Sequence, residues 1–221
     1  MIRLSNLIVI AALLLSTACS KSEPNNQTHD VAEDKSAVTV LRKPPDIQRK
    51  ELNVPWRPGL RAEGAHTRWF FHCYTKFDYT LEQKQVSGAS TTVSIKITKV
   101  NMNIELPIVM WIPKRCPQKV VDHEQGHVRI CTRIYDGAEN AARDAATRVV
   151  GMKIEGHGDT AESACAEAVN KAAETVCEDY RKNTVEIADC ISKIYDDLTA
   201  QGNASASVDK TIDDAFNRFL K

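Results

Sequence analysis

The segment Asp122-His123-Glu124-Gln125-Gly126-His127 limits what this chain can be more than any other stretch. It carries HExxH, the pattern by which one helix offers two imidazoles to a zinc ion. His123 and His127 fall about one turn apart on one helix face, so both rings can converge on one ion. Glu124 lies one position round, where its carboxylate reaches a water rather than the metal. Zinc lowers the pKa of such a water, and Glu124 would take its proton as it attacks a polarised carbonyl. Val120 and Val121 before the motif, and Val128, Ile130 and Ile134 after it, continue a helical apolar pattern. Gly126 costs a helix about 1 kcal/mol relative to Ala. A glycine there lets another segment come close between the two histidines. The plain alternative is a surface helix with two solvated histidines.

The N-terminus reads as a targeting segment. Arg3 supplies a positive start, residues 7–15 are apolar but too short to span a bilayer, and Ser16, Thr17 and Ala18 lead to Cys19. This resembles a bacterial lipoprotein signal, which implies lipidation of Cys19. Leu15 stands one position further from the Cys than that signal usually has it, and cleavage after Ala18 of an ordinary secretory signal also fits. Ser20 after the Cys implies outer-membrane sorting; without lipidation the domain would be periplasmic. Lys+Arg and Asp+Glu are both 29, so no basic field draws the chain to nucleic acid, and membrane association is expected through the lipid anchor alone. Residues 19–60, polar and punctuated by Pro44, Pro45, Pro55 and Pro58, read as a linker. One folded domain is expected over residues 61–221.

Setting Cys19 aside leaves six cysteines, an even number that in an exported chain implies three disulfides with fifteen pairings. Cys177 and Cys190 flank Asn183 at similar distances, and a helical hairpin turning there would pair them. Cys131, one turn after His127, is either a third metal ligand or half of a disulfide.

Residues 66–80 are rich in aromatics and Thr, residues 91–97 and 100–106 alternate with a period of two, and residues 107–111 prolong the apolar run. Three or four antiparallel strands follow from this, with Pro107 and Pro113 at an edge or end. A helical pattern then runs over about 118–149, with a bend at Gly137. A short strand is expected over 149–154, a turn at Gly156-His157-Gly158, a helix capped by Thr160 to about Tyr180, another over about 184–199, and a short terminal helix. The fold class is α+β: a small antiparallel sheet packed on the long HExxH helix, followed by further helices.

Two regions together resemble a bacterial family of secreted zinc-dependent proteases, a domain catalogued without established function. They are Leu106-Pro107-Ile108-Val109-Met110-Trp111 running into His123-Glu124-Gln125-Gly126-His127, and Tyr195-Asp196-Asp197-Leu198-Thr199-Ala200-Gln201-Gly202. Where the family has a His near the end, this chain has Gln201. The resemblance implies a zinc-dependent metallopeptidase of the cell envelope acting on a peptide or protein substrate. His123 and His127 would hold Zn²⁺ and Glu124 would be the general base. The alternative is a catalytically inactive envelope lipoprotein that keeps the scaffold as a binding or structural module. The third ligand stays open among His157, Gln201, Glu139, Asp136 and Asp144.

Overall fold

A computed structural model of the chain describes residues 37–55, 64–200, 202 and 207–221. Cys19 and the residues before it lie outside the described residues, as does Gln201. The element order is β1 (Val38–Arg42), β2 (Asp46–Pro55), β3 (His66–Trp69), β4 (His72–Ser87), β5 (Ser90–Glu105), β6 (Pro107–Lys114), α1 (Gln118–Asp136), α2 (Ala138–Val149), β7 (Lys153–Gly158), α3 (Ala161–Lys182), α4 (Val185–Thr199) and α5 (Val208–Phe219). The architecture is α+β, as a run of strand patterns followed mainly by helical ones implies.

The strands form two small mixed sheets. One has the order β1-β5-β4 with β7 also beside β5; the other has the order β2-β6-β3. The β4/β5, β5/β7 and β3/β6 pairs are antiparallel, but β1 runs parallel to β5 and β2 parallel to β6. This corrects the purely antiparallel expectation, and it also corrects the linker, because both parallel strands lie within residues 19–60. Their sequences hide them for a physical reason. β2 lies at a sheet edge and is exposed along nearly its whole length, so it carries no burial period. Its pairing rests on the backbone ladder to β6.

The two alternating runs at 91–97 and 100–106 belong to one long strand rather than two. Across the β4/β5 ladder, Asp78 faces Lys99 but Tyr79 faces Ile97, so Thr98 is an extra residue. Such a bulge flips the phase of the side chains. That is why Val93, Ile95 and Ile97, then Val100, Met102 and Ile104, all point into the core, each no more than 1% exposed.

The long helical pattern divides at Gly137 into α1 and α2. Helix α3 begins at the expected cap: the Thr160 side chain accepts from the Ser163 amide, and the Ser163 hydroxyl accepts from the Thr160 amide. The short strand falls at 153–158 instead of 149–154, and His157 lies in β7 rather than in a turn.

Cys177 pairs with Cys73, tying α3 to β4, with 5.7 Å between Cα atoms. This corrects the expected Cys177–Cys190 bond: Cys190 lies exposed on α4, while Cys177 reaches the sheet. Cys116, Cys131, Cys165 and Cys190 are free thiols, so one disulfide rather than three is present among the described residues.

A second apolar cluster positions the HExxH helix. Ile130 of α1, Ile191 and Tyr195 of α4, and Ile212 and Ala215 of α5 pack together, each no more than 5% exposed. Burying an Ile side chain contributes about 1.5–3 kcal/mol, so this cluster holds α4 and α5 firmly on the outer side of α1.

Candidate metal centre

Helix α1 brings His123 and His127 together as the spacing requires, with ring centroids 4.9 Å apart and planes near perpendicular. Both are buried. The third group comes from α4. Asp196 Oδ1 lies 3.3 Å from His123 Nε2 and 3.0 Å from His127 Nε2. One donor atom from each of the three residues lies within 4.8 Å of the others, a set that could hold a metal ion. Two imidazole nitrogens and one carboxylate oxygen are donors that suit zinc and several other first-row divalent ions. Asp196 keeps 38% of its side chain exposed, so the group has one open side.

Hydrogen bonds around His123 fit a metal-binding role. Thr199 Oγ1 lies 3.1 Å from His123 Nδ1. The same hydroxyl donates to the Tyr195 carbonyl at 2.8 Å. A hydroxyl has one proton to give. With that proton on the carbonyl, Thr199 accepts from Nδ1–H. That bond fixes the ring and leaves its Nε2 facing Asp196, where a cation would sit.

Tyr195 and Gly126 explain how α4 comes so near. The Tyr195 ring stacks on His123 at 5.1 Å, stands edge-on to His127 at 5.2 Å, and reaches the His123 carbonyl with its hydroxyl at 3.4 Å. It occupies the space over Gly126, where a Cβ would come within 2.9 Å of Tyr195 Cε1 and closer still to Cζ and Oη. Burial first, then the Glu124 and Asp196 carboxylates, push the Tyr195 phenol up to about 12, so it stays protonated. Beyond α4, Gly202 adopts φ +80° and lies against His123. The stretch Tyr-Asp-x-x-Thr-x-x-Gly thus places one residue against Gly126, one in the donor group, one on His123 Nδ1 and one over its Cβ.

Glu124 stands apart from the donor group. It is 5% exposed, and its Oε2 accepts from Thr67 Oγ1 of β3 at 2.7 Å. Two positions on, Trp69 of the same strand stacks on His127 at 5.8 Å and donates its indole N–H to Asp189 of α4 at 3.2 Å. One strand therefore braces both the carboxylate and a histidine.

Burial alone would raise the Asp196 carboxyl. Hydrogen bonds from His123 and His127 outweigh burial and hold it well below the ordinary carboxylate range.

The residues considered from sequence for the third position lie elsewhere. His157 is exposed in β7 and bonded to Thr92 at 3.1 Å. Asp136 pairs with Arg42 and Glu139 with Arg143, and Asp144 is exposed on α2. Cys131 is fully buried, and burial pushes its thiol far above the ordinary range; it belongs to the core, not to the donor group. Asp196 was the residue missed. Its signal was a run of polar residues, Ser192, Asp196 and Thr199, recurring at helical spacing beside the apolar face of α4.

Comparison of the chain with protein-family models, with curated proteins and with solved structures gives no match.

Proposed function

We propose that this chain is a zinc-dependent metallopeptidase of the bacterial cell envelope, with His123, His127 and Asp196 as the metal-holding residues and Glu124 as general base. The observation that carries the proposal is the placement of Glu124. A buried carboxylate beside a His-His-Asp group, outside that group and fixed by Thr67, is what water activation needs. Bound Zn²⁺ would supply Lewis acidity and acidify the water next to it.

The chain's own residues do the rest. Thr67 occupies Oε2 of Glu124, which leaves Oε1 to take the proton from the attacking water and later deliver it to the departing amine. Thr199 keeps His123 Nε2 turned inward, and Tyr195 excludes water from the far side of both rings. The leader pattern ending at Cys19 supports an envelope location, and so does a disulfide, which persists in oxidising compartments.

The test is Glu124→Gln in the zinc-loaded protein, assayed on an unstructured protein such as casein. The proposal expects full zinc content and loss of hydrolysis by on the order of 100-fold or more. Hydrolysis that survives the substitution would refute the general-base role. A zinc-loaded native protein with no hydrolytic activity would leave the binding-module reading in its place.

A further inference from the structure

The two histidines are held in different ways. His123 has a hydrogen-bonded partner behind it, Thr199 on Nδ1. His127 has none among the described residues, and its Nδ1 is buried. A metal-binding imidazole needs something to fix its ring, and a hydrogen bond on the far nitrogen is the common device. At His127 the fixing groups are other rings. Trp69 stacks on it at 5.8 Å with 22° between the planes, while His123 and Tyr195 stand nearly perpendicular to it at 4.9 and 5.2 Å.

Of the three, Trp69 alone lies flat on the imidazole, and it is the least confined. It ends β3, an edge strand, and is only partly buried, whereas Tyr195 is fully buried. What ties the indole down is its N–H, which donates to Asp189 Oδ1 at 3.2 Å. Among the described residues this is the one hydrogen bond of the Asp189 carboxylate; the guanidinium of Arg181 on α3 pairs with Glu186 instead. Asp189 and Asp196 are seven residues apart, two turns along one face of α4. Helix α4 therefore reaches His127 twice, at Nε2 through Asp196 and at the ring face through Asp189 and the indole.

We propose that Asp189 is a positioning residue for His127, acting through the Trp69 indole. The bond to Asp189 holds the indole flat over the imidazole, and so does for His127 what Thr199 does for His123. It also acts on charge. The face of an indole is its negative region, and a cation within about 6 Å of the ring centre is attracted to it. A carboxylate on the indole N–H adds to that electron density. An imidazole bound to a cation is more positive than a free one, so the stack favours the loaded site over the empty one. The proposal rests on the metal-holding reading of His123, His127 and Asp196, and two readouts separate the two ideas.

The first readout needs no metal. It is ¹H–¹⁵N NMR of the indole and imidazole groups in the metal-free chain, with the Trp69 signal assigned through Trp69→Phe. Asp189→Ala should move the Trp69 Nε1–H signal and the His127 ring signals. Asp189→Asn, which keeps an acceptor oxygen, should leave both near native. The second readout is Zn²⁺ affinity by competition with a fluorescent chelator. Asp189→Ala should weaken binding about tenfold, the lower end of the loss seen when a group behind a ligand is removed. Asp189→Asn should recover most of it. Trp69→Phe keeps a ring on β3 but has no N–H for Asp189, so in that background Asp189→Ala should weaken binding no further. Glu186→Ala, which removes a charge from α4 without touching the indole, should leave affinity unchanged. An Asp189→Ala protein with native affinity, or with unmoved His127 signals, would overturn the proposal. So would a loss that persists in the Trp69→Phe background or is matched by Glu186→Ala. If the native chain binds no Zn²⁺, the metal-holding reading fails, and the NMR comparison still decides whether Asp189 positions the His127 ring.

Discussion

Gly126→Ala is the substitution with the most to say about this fold. On an open helix it would stabilise by about 1 kcal/mol, because Ala is the better helix former. Here the new methyl would lie 2.9 Å from Tyr195 Cε1 and nearer still to Cζ and Oη, against an ordinary carbon–carbon contact of about 3.5–4.0 Å. Tyr195 is fully buried, so the ring has nowhere to swing. It would have to withdraw by about 1 Å, taking α4 with it; overpacking of this kind costs about 1–3 kcal/mol. Set against the helical gain, this leaves a net loss of up to about 2 kcal/mol in unfolding free energy, to be read from urea denaturation. Asp196 follows Tyr195 in the same turn, so its carboxylate moves off the two imidazoles. Zn²⁺ affinity should therefore fall by at least about tenfold, more than the stability change alone would cause. A Gly126→Ala protein that is more stable and binds Zn²⁺ as the native chain does would refute the argued packing of α4 on α1.

Other outcomes follow from the same geometry. Thr67→Val should keep the Zn²⁺ content but lower hydrolysis by about tenfold or more, because Glu124 loses the donor on Oε2; Thr67→Ser should recover most of it. Removing the Cys73–Cys177 bond, which closes a loop across 104 residues of separation, should cost about 2–5 kcal/mol by thermal or denaturant unfolding. Cys190→Ser, at an exposed free thiol, should stay within about 0.5 kcal/mol of native. In the metal-free protein the folded-state pKa of Asp196 lies below its unfolded value of about 3.9. The stability it contributes is thus full above that pH and is lost as pH falls through the folded value, so Asp196→Asn should flatten the acid limb of a stability–pH curve. An unchanged acid limb would show that the carboxylate is not held by the two histidines.

The parts of this molecule that were legible in its sequence are those set by local spacing. His123, Glu124 and His127 lie within two turns of one helix, and helical geometry alone brings the imidazoles together. Gly126 announced a close approach, but nothing local said that Tyr195 would fill the gap. Asp196 was hard to find because it lies 69 residues beyond His127 and is one of 29 acidic residues. Only tertiary packing selects it. The same cause misled the disulfide: closeness along the chain favoured Cys190, while the packing of α3 on the sheet put Cys73 beside Cys177. β2 could not be read because an exposed edge strand has no apolar period to show, and Thr98 divided one strand in two by switching its phase.

The central claim is that α1 and α4 together hold one metal ion. The direct measurement is metal content by elemental mass spectrometry on the purified oxidised chain, with Asp196→Ala and His123→Ala alongside. The account predicts about one zinc per native chain and loss of it in both variants. A native protein that takes up no zinc while folded, or an Asp196→Ala protein that retains it at native affinity, would contradict the account.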